Sequence, residues 1–189
     1  MRKEIIFTGF GGQGIILMGV IIARMMEHFP ELQVTQAQSY GPASRGGACR
    51  TDVVISDQQI NYPKSSRPDV MVFMSEDAVK RLLAEADPGR TLIVYDDTLI
   101  KAIPAPYTKT FAVPATGQAE KEFKNRMVAN IFMLGAVIDL INPGSLDVLK
   151  KIVASSVSKK HEELNIKALE AGYEYYRTHK PGQHPPSSN

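Results

Sequence analysis

Apolar and polar positions at the start of the chain outline a buried strand followed by a buried helix. Residues 4–9 (EIIFTG) have the β-branched, apolar character of a buried strand. From Gly12 to His28 apolar residues recur at helical spacing, and polar residues are almost absent before Arg24, which predicts a helix buried on most sides. A strand, a glycine-rich turn and a buried helix are the opening of an α/β unit.

Apolar runs downstream predict further strands, and the C-terminal third turns helical. Ser75 is placed to cap a helix that carries acidic residues in its first turn, where the helix dipole favours them. The pattern becomes helical from Thr116, and Ser145 is placed to cap a later helix. The predicted strands are 34–40, 49–56, 69–75, 91–97 and 109–115, and the predicted helices cover 117–141, 145–157 and 161–179.

These elements predict the α/β class: a mainly open sheet with helices packed on it, a βα start with a glycine loop, and a helical C-terminal third. The chain has 189 residues, of which 43% are hydrophobic and 22% charged, as expected for a globular domain with a real core. We expect one domain over 1–180 and a disordered tail over 181–189.

Charge and hydropathy exclude several classes of partner. The net charge of +2 comes from 22 basic and 20 acidic residues spread along the chain, so neither nucleic acid nor an anionic membrane is an expected partner. The apolar run at 14–23 is too short to cross a membrane, which needs about 20 residues. The glycine cluster before it argues against a signal peptide, so we expect a cytoplasmic protein.

Side chains that could ligate a metal or catalyse a reaction are scarce. Cys49 is the single cysteine, which excludes a cluster held by four thiolates of this chain, and the four histidines lack the spacing of a metal site. Asp96 and Asp97 follow a strand, where turn and capping roles are more common than acid–base catalysis. The expectation is a chain with no catalytic residue and no metal of its own.

A glycine loop follows the first strand. Gly9, Gly11 and Gly14 match the pattern G-x-G-x-x-G between a strand and a helix, which is typical of a dinucleotide-binding turn. Such a site also needs an acidic residue at the end of the second strand for the ribose hydroxyls, and residues 34–38 contain none. A P-loop is disfavoured as well, because Ile15 stands where its lysine would be. Another phosphate-bearing ligand and a purely structural turn therefore remain open.

A second glycine-rich loop, GPASRGGA at 41–48, follows the second predicted strand. In an open α/β sheet the end of that strand lies at the same edge as the first glycine loop. Hydroxyls, glycine amides and the Arg45 guanidinium suit an anion or the backbone of a partner. A solvated charge in a loop is the alternative interpretation of Arg45.

Taken together, the two loops resemble motifs of the gamma subunit, or gamma domain, of the 2-oxoacid:ferredoxin (acceptor) oxidoreductases. The resemblance extends from about residue 3 to residue 176. Six segments in order carry it, at 9–15 (GFGGQGI), 38–47 (QSYGPASRGG), 55–63 (ISDQQINYP), 113–116 (VPAT), 130–136 (NIFMLGA) and 165–174 (NIKALEAGYE).

This resemblance implies a non-catalytic subunit of a larger enzyme. In the family, a thiamine diphosphate-dependent complex converts a 2-oxoacid and coenzyme A to acyl-CoA and CO2, and passes electrons through iron–sulfur clusters to ferredoxin or a similar acceptor. The cofactors are expected on alpha, beta and delta partners and none in this chain. 2-Oxoglutarate is the favoured substrate, with pyruvate, branched-chain 2-oxoacids and arylpyruvates open.

The two loops are expected to form one polar edge that faces the catalytic subunits and helps to shape the coenzyme A channel. The isolated chain is expected to be inactive and able to self-associate through surfaces meant for partners. The alternatives are a freestanding NAD(P)-binding oxidoreductase or sensor, and an independent enzyme for a small anionic substrate. The candidate binding residues are Gly9, Gly11, Gly12, Gln13, Gly14, Ser39, Tyr40, Gly41, Arg45, Gly46 and Gly47.

Overall fold

The computed structural model describes residues 1–40, 48–141 and 145–180. Within these ranges, six strands form one sheet in the order β2-β3-β1-β4-β5-β6. Both the α/β class and the positions of the predicted strands are confirmed. The strands are β1 (Arg2–Phe10), β2 (Gln33–Tyr40), β3 (Ala48–Ser56), β4 (Val70–Phe73), β5 (Leu92–Asp96) and β6 (Thr110–Val113).

The sheet is mixed, and its strand directions bring both loops to one edge. Strands β1, β4, β5 and β6 are parallel, whereas β3 runs antiparallel to both β1 and β2. Because β3 is antiparallel to both of its neighbours, β2 and β1 are parallel to each other. Cys49 of β3 pairs with Gly9 on one side and with Tyr40 on the other. The expectation that the second strand ends at the glycine-loop edge is therefore correct.

The helices divide unequally between the two faces of the sheet. Five of those described pack on one face around a single large core, and α2 packs on the other with the chain that follows β5. Short 3₁₀ turns follow α2, precede α4 and follow α4. The helices are α1 (Ile15–Met26), α2 (Glu76–Leu82), α3 (Ala115–Phe123), α4 (Ala129–Val137), α5 (Leu146–Ser156) and α6 (Lys159–His179).

Two predicted helix boundaries are wrong for identifiable reasons. Helix α1 begins at Ile15 rather than Gly12, because Gly12 and Gly14 have positive φ and belong to the turn. The segment 117–141 is not one helix, since Lys124 adopts a left-handed conformation with φ 51° and ends α3. The caps are confirmed: the Ser75 side chain accepts a hydrogen bond from the Ala78 N–H, and Ser145 caps α5 in the same way.

Helix α4 lies in the middle of the helical layer, and α6 crosses it at very short range. All nine residues of α4 are buried. A methyl group on Gly135 would collide with the backbone carbonyl of Leu169, and one on Gly172 would collide with that of Phe132. These two glycines let the helix backbones touch, and the contact places the start of α6 beside the start of α4.

No helix in the described part of the chain is long and apolar enough to cross a membrane. Among the same residues, no group of three or more His, Cys, Asp and Glu side chains is arranged to hold a metal ion. The cytoplasmic location stays a prediction.

We expect Gly172→Ala to destabilise the fold although alanine is the better helix former by about 1 kcal/mol. The added methyl group must push α6 away from the α4 backbone, and such overpacking costs about 1–3 kcal/mol. Chemical denaturation of the purified chain measures the free energy of unfolding. Gly89→Ala is the matched control, because the nearest atom to its new methyl group would be 3.5 Å away. An unchanged stability in Gly172→Ala would contradict the close crossing.

Candidate functional site

The glycine loop joins β1 to α1 at the carboxyl edge of the parallel strands. Gly12 and Gly14 have φ values of 99° and 73°, which favour glycine over every residue with a side chain. Gly9 matters for a different reason: a methyl group there would lie 2.5 Å from Gln13 Oε1 and would displace the Gln13 side chain. The sequence therefore needs glycine at these positions for the shape of the turn itself.

The Gln13 side chain ties this turn to the sheet. Its Oε1 accepts a hydrogen bond of 2.6 Å from the Phe10 N–H, and its Nε2 donates one of 2.8 Å to the carbonyl of Met74 after β4. The carboxamide thus uses both its donor and its acceptor to bridge the ends of two neighbouring strands. This geometry gives Gln13 a structural role in holding the loop.

Helix α1 begins at this turn with its amide groups directed to the carboxyl edge of the sheet. Gly14 occupies the N-cap position, so no side chain caps the helix, and its first turn contains no acidic residue. Uncapped N–H groups and the helix dipole favour an anion at such a position. The turn therefore has the backbone chemistry of an anion-binding site.

A cleft opens beside the turn, between the glycine loop, α4 and the start of α6. It consists of two adjoining cavities of about 160 and 220 Å³ that share Gly12, Gln13, Met127 and Asn130. Neither cavity is lined by a carboxylate, and the ionisable side chains in their walls are those of Arg126 and His161. The walls therefore favour an anionic or polar ligand.

Asn130 is one of three buried polar residues that line this cleft, together with Thr116 and Asn165. It is 5% exposed, it lies on the otherwise apolar helix α4, and its Oδ1 has no hydrogen-bond partner. Its Nδ2 lies against Gly14, where a methyl group would collide with it. A buried carboxamide oxygen without a partner costs about 1–3 kcal/mol, so a group that binds in the cleft is the natural source of its missing partner.

The second predicted loop begins at the same edge, at the end of β2. Ser39 is exposed, and Tyr40 lies two strands from Gly9, a separation of roughly 10 Å from the strand spacing. The end of β2 and the start of β3, which flank the second loop, therefore both lie beside the glycine loop. The remaining predicted residues, Gly41, Arg45, Gly46 and Gly47, lie outside the described residues.

Asp96, at the same edge, has a structural role. Asp96 is buried and accepts hydrogen bonds from the N–H of Thr98 and from the N–H and hydroxyl of Thr116, which confirms the turn and cap interpretation. Burial raises the pKa of Asp96 although these hydrogen bonds oppose the shift, and burial together with Asp96 raises the pKa of Asp97. Burial also raises the pKa of the Cys49 thiol, which makes it a poor nucleophile.

Several residues of the cleft were not among those predicted from the sequence. Arg126, Asn130, His161 and Asn165 come from the helical third of the chain and reach the glycine loop only through the packing of α4 and α6. Asn130 could have been singled out from the sequence, because it is the single polar residue in the apolar run that forms α4.

Comparison with known proteins decides the family. The model of the pyruvate ferredoxin/flavodoxin oxidoreductase family matches residues 4–175. The chain belongs to this family. It is 41% identical over 175 residues to the 2-oxoglutarate synthase subunit KorC of Methanocaldococcus jannaschii, an alignment that covers 92% of this chain and 94% of that one.

Solved structures of this family have the same fold. The gamma subunit of a keto/oxoacid ferredoxin oxidoreductase from Geobacter sulfurreducens matches with a TM-score of 0.83 and 34% identity, over 95% of this chain and 98% of that one. The 2-oxoglutarate:ferredoxin oxidoreductase of Magnetococcus marinus, with 2-oxoglutarate, coenzyme A and succinyl-CoA bound, matches with a TM-score of 0.81 and 26% identity. The match covers 94% of this chain and 31% of that one.

These similarities confirm the prediction that the chain is a gamma subunit of a 2-oxoacid:ferredoxin oxidoreductase. They do not favour the freestanding NAD(P)-binding oxidoreductase, and the absence of an acidic residue in β2 agrees with them.

We expect Gln13→Glu to weaken the glycine loop in a pH-dependent way. At neutral pH the new carboxylate still accepts a hydrogen bond from the Phe10 N–H. It has no proton to donate to the Met74 carbonyl, and we expect this loss to cost about 1–2 kcal/mol in stability. Repulsion from this carbonyl raises the pKa of the new carboxyl in the folded state. The lost stability therefore returns as pH falls through that value, because the protonated acid can donate to Met74.

The measurement is the free energy of unfolding of Gln13→Glu at pH 8 and at pH 5. The control is Gln59→Glu, which makes the same change at an exposed position. An equal loss in Gln13→Glu at both pH values would contradict the bridging role of Gln13.

Proposed function

We propose that this gamma subunit belongs to a complex that oxidatively decarboxylates 2-oxoglutarate with coenzyme A and reduces ferredoxin. Its similarity to a 2-oxoglutarate synthase subunit along nearly its whole length supports the substrate. The thiamine diphosphate and iron–sulfur chemistry belongs to alpha, beta and delta partners in this proposal. The gamma chain supplies a binding surface and no catalytic residue.

The cleft beside the glycine loop is the observation that carries a role in coenzyme A binding. Coenzyme A is an anionic nucleotide, and the cleft combines the start of α1, the Asn130 carboxamide and the Arg126 side chain with walls that contain no carboxylate. Arg126 is 3.8 Å from Glu120 across an exposed pair, which leaves its guanidinium able to turn toward a ligand. This set of donors suits phosphate groups better than a ribose diol.

The same edge has the apolar groups of a docking surface. Phe10 and Met127 are 38% and 80% exposed, and they flank the glycine loop and the cleft. Large apolar side chains at the rim of a polar cleft are typical of a surface that a protein partner covers. We infer that the catalytic subunits cover this edge and close the coenzyme A channel over it.

Arg126→Gln and Arg45→Ala test this role in the reconstituted complex. We expect each to raise the KM for coenzyme A roughly tenfold, the effect of losing one charge-assisted hydrogen bond. The KM for 2-oxoglutarate is expected to stay unchanged. Arg177→Gln, on the exposed last turn of α6, is the control for removal of a positive charge.

The outcome that would refute the proposal is an unchanged KM for coenzyme A in both Arg126→Gln and Arg45→Ala when the complex assembles normally. Micromolar NADH binding by the purified chain would instead favour the dinucleotide alternative. A purified chain active without partners would favour the independent enzyme.

A further inference from the structure

The two outermost strands of the sheet, β2 and β6, each leave one row of backbone groups without a neighbouring strand. Such a row is a template for pairing with another chain, and proteins protect it with short strands, charges, proline or a covering element. Strand β6 is protected in this way. It has four residues, Lys109 precedes it, Pro114 follows it, and the Tyr175 hydroxyl donates to the carbonyl of Ala112 at 3.4 Å.

Strand β2 has none of these protections among the described residues. It is eight residues long (QVTQAQSY), and its sequence contains no charged residue and no proline. Apart from β3, no described element donates a hydrogen bond to its backbone or accepts one from it. The two outermost strands therefore differ, because β6 closes the sheet and β2 leaves it open.

Alternate residues of β2 direct their backbone N–H and C=O groups out of the sheet. In an antiparallel pair, every second residue bonds to the neighbouring strand. The Asp57 N–H donates to the Met1 carbonyl in the β1–β3 register, so odd-numbered residues of β3 bond to β1 and even-numbered ones to β2. The even-numbered residues of β3 pair with odd-numbered residues of β2. The backbone groups of Val34, Gln36 and Gln38 therefore point away from β3, and no described residue bonds to them.

Helix α1 places apolar side chains beside this open strand on one face of the sheet. Gly19 of the helix packs against Thr51, to which the Gln36 side chain is hydrogen-bonded at 2.6 Å. Ile16 and Ala23, three residues before and four residues after Gly19, lie on the same side of the helix. Both are only partly buried, so this side of α1 has apolar surface that a neighbour beside β2 would cover.

An exposed aromatic side chain lies beside β2 on the other face. Tyr62 is 58% exposed, and it precedes Pro63, whose carbonyl accepts a hydrogen bond from the Thr35 hydroxyl of β2. Large exposed aromatic residues are enriched at protein interfaces. The open strand is thus bordered by apolar groups on both faces of the sheet.

A second copy of this chain is the occupant that these features fit. A two-fold axis places two β2 strands antiparallel, so the outward groups of one copy meet those of the other along the same length. No like charges oppose each other, because β2 carries none. No described residue of β2 lines the cleft, so this pairing leaves the cleft free for the catalytic subunits.

We propose that this chain forms a two-fold homodimer through β2, in which the two six-stranded sheets join into one continuous sheet. The outward backbone groups of Val34, Gln36 and Gln38 provide the main-chain hydrogen bonds of the pairing. The apolar groups of α1 and Tyr62 are buried beside it. The dimer is independent of the proposed coenzyme A role, so the failure of either leaves the other standing.

Amide hydrogen exchange of the purified chain, followed by NMR at low and at high protein concentration, tests the pairing. We expect the amides of Val34, Gln36 and Gln38 to exchange roughly tenfold more slowly at high concentration. The amides of Thr35 and Ala37, which bond to β3, change little. A chain that stays monomeric, or a dimer whose three outward amides gain no protection, overturns the proposal. Protection that appears only after the catalytic subunits are added assigns β2 to a different partner and also overturns it.

Gln38→Pro and Gln38→Thr separate the backbone donor from the side chain. Gln38 is exposed, and β3 does not use its N–H, so proline is compatible with the fold at this position. We expect Gln38→Pro to raise the dimer dissociation constant roughly tenfold in sedimentation equilibrium, through the lost hydrogen bond. Gln38→Thr keeps the wild-type value.

Equal dissociation constants in the two variants contradict pairing through β2. Circular dichroism checks that Gln38→Pro is folded. If it is not folded, the exchange pattern of the wild type decides.

Discussion

The contact between α4 and α6 is the constraint on which the cleft depends. At Gly135 and Gly172 the two helix backbones touch, and neither position has room for a methyl group. Because α4 is buried on every side, it cannot move to relieve a change in α6. The close crossing thus sets where α6 begins, and with it the positions of His161 and Asn165 relative to the glycine loop.

On the opposite wall of the cleft, the glycine loop is held by the sheet. Gln13 bridges Phe10 and Met74, so the loop follows the ends of β1 and β4 rather than moving freely. Parallel strands with helices leaving to opposite faces create a crevice at this edge, which is where ligands bind in α/β sheets. The antiparallel strand β3 brings the end of β2 to the same place. Rigid elements therefore position every described part of the edge.

The groups that the structure describes around the cleft suit recognition of a ligand. They include backbone amides, carboxamides and basic side chains, and the buried Asp96 nearby accepts hydrogen bonds from two threonines. A gamma subunit in a 2-oxoacid:ferredoxin oxidoreductase can contribute in this way without a cofactor, because binding and exclusion of water need only well-placed donors and shape. Exposed Phe10 and Met127 beside these donors suit a surface that becomes complete on assembly.

The sequence alone determined the class of fold, the strands and the glycine loop, because these follow from local periodicity and from the backbone freedom of glycine. It also indicated the family, through six short segments that resemble the family's motifs in the same order along the chain. The break at Lys124 was not predictable, since the helical pattern of 117–141 continues through it. Only the tertiary structure brought Asn130, Arg126 and His161 to the glycine loop, because their positions depend on how α4 and α6 pack and not on any local pattern.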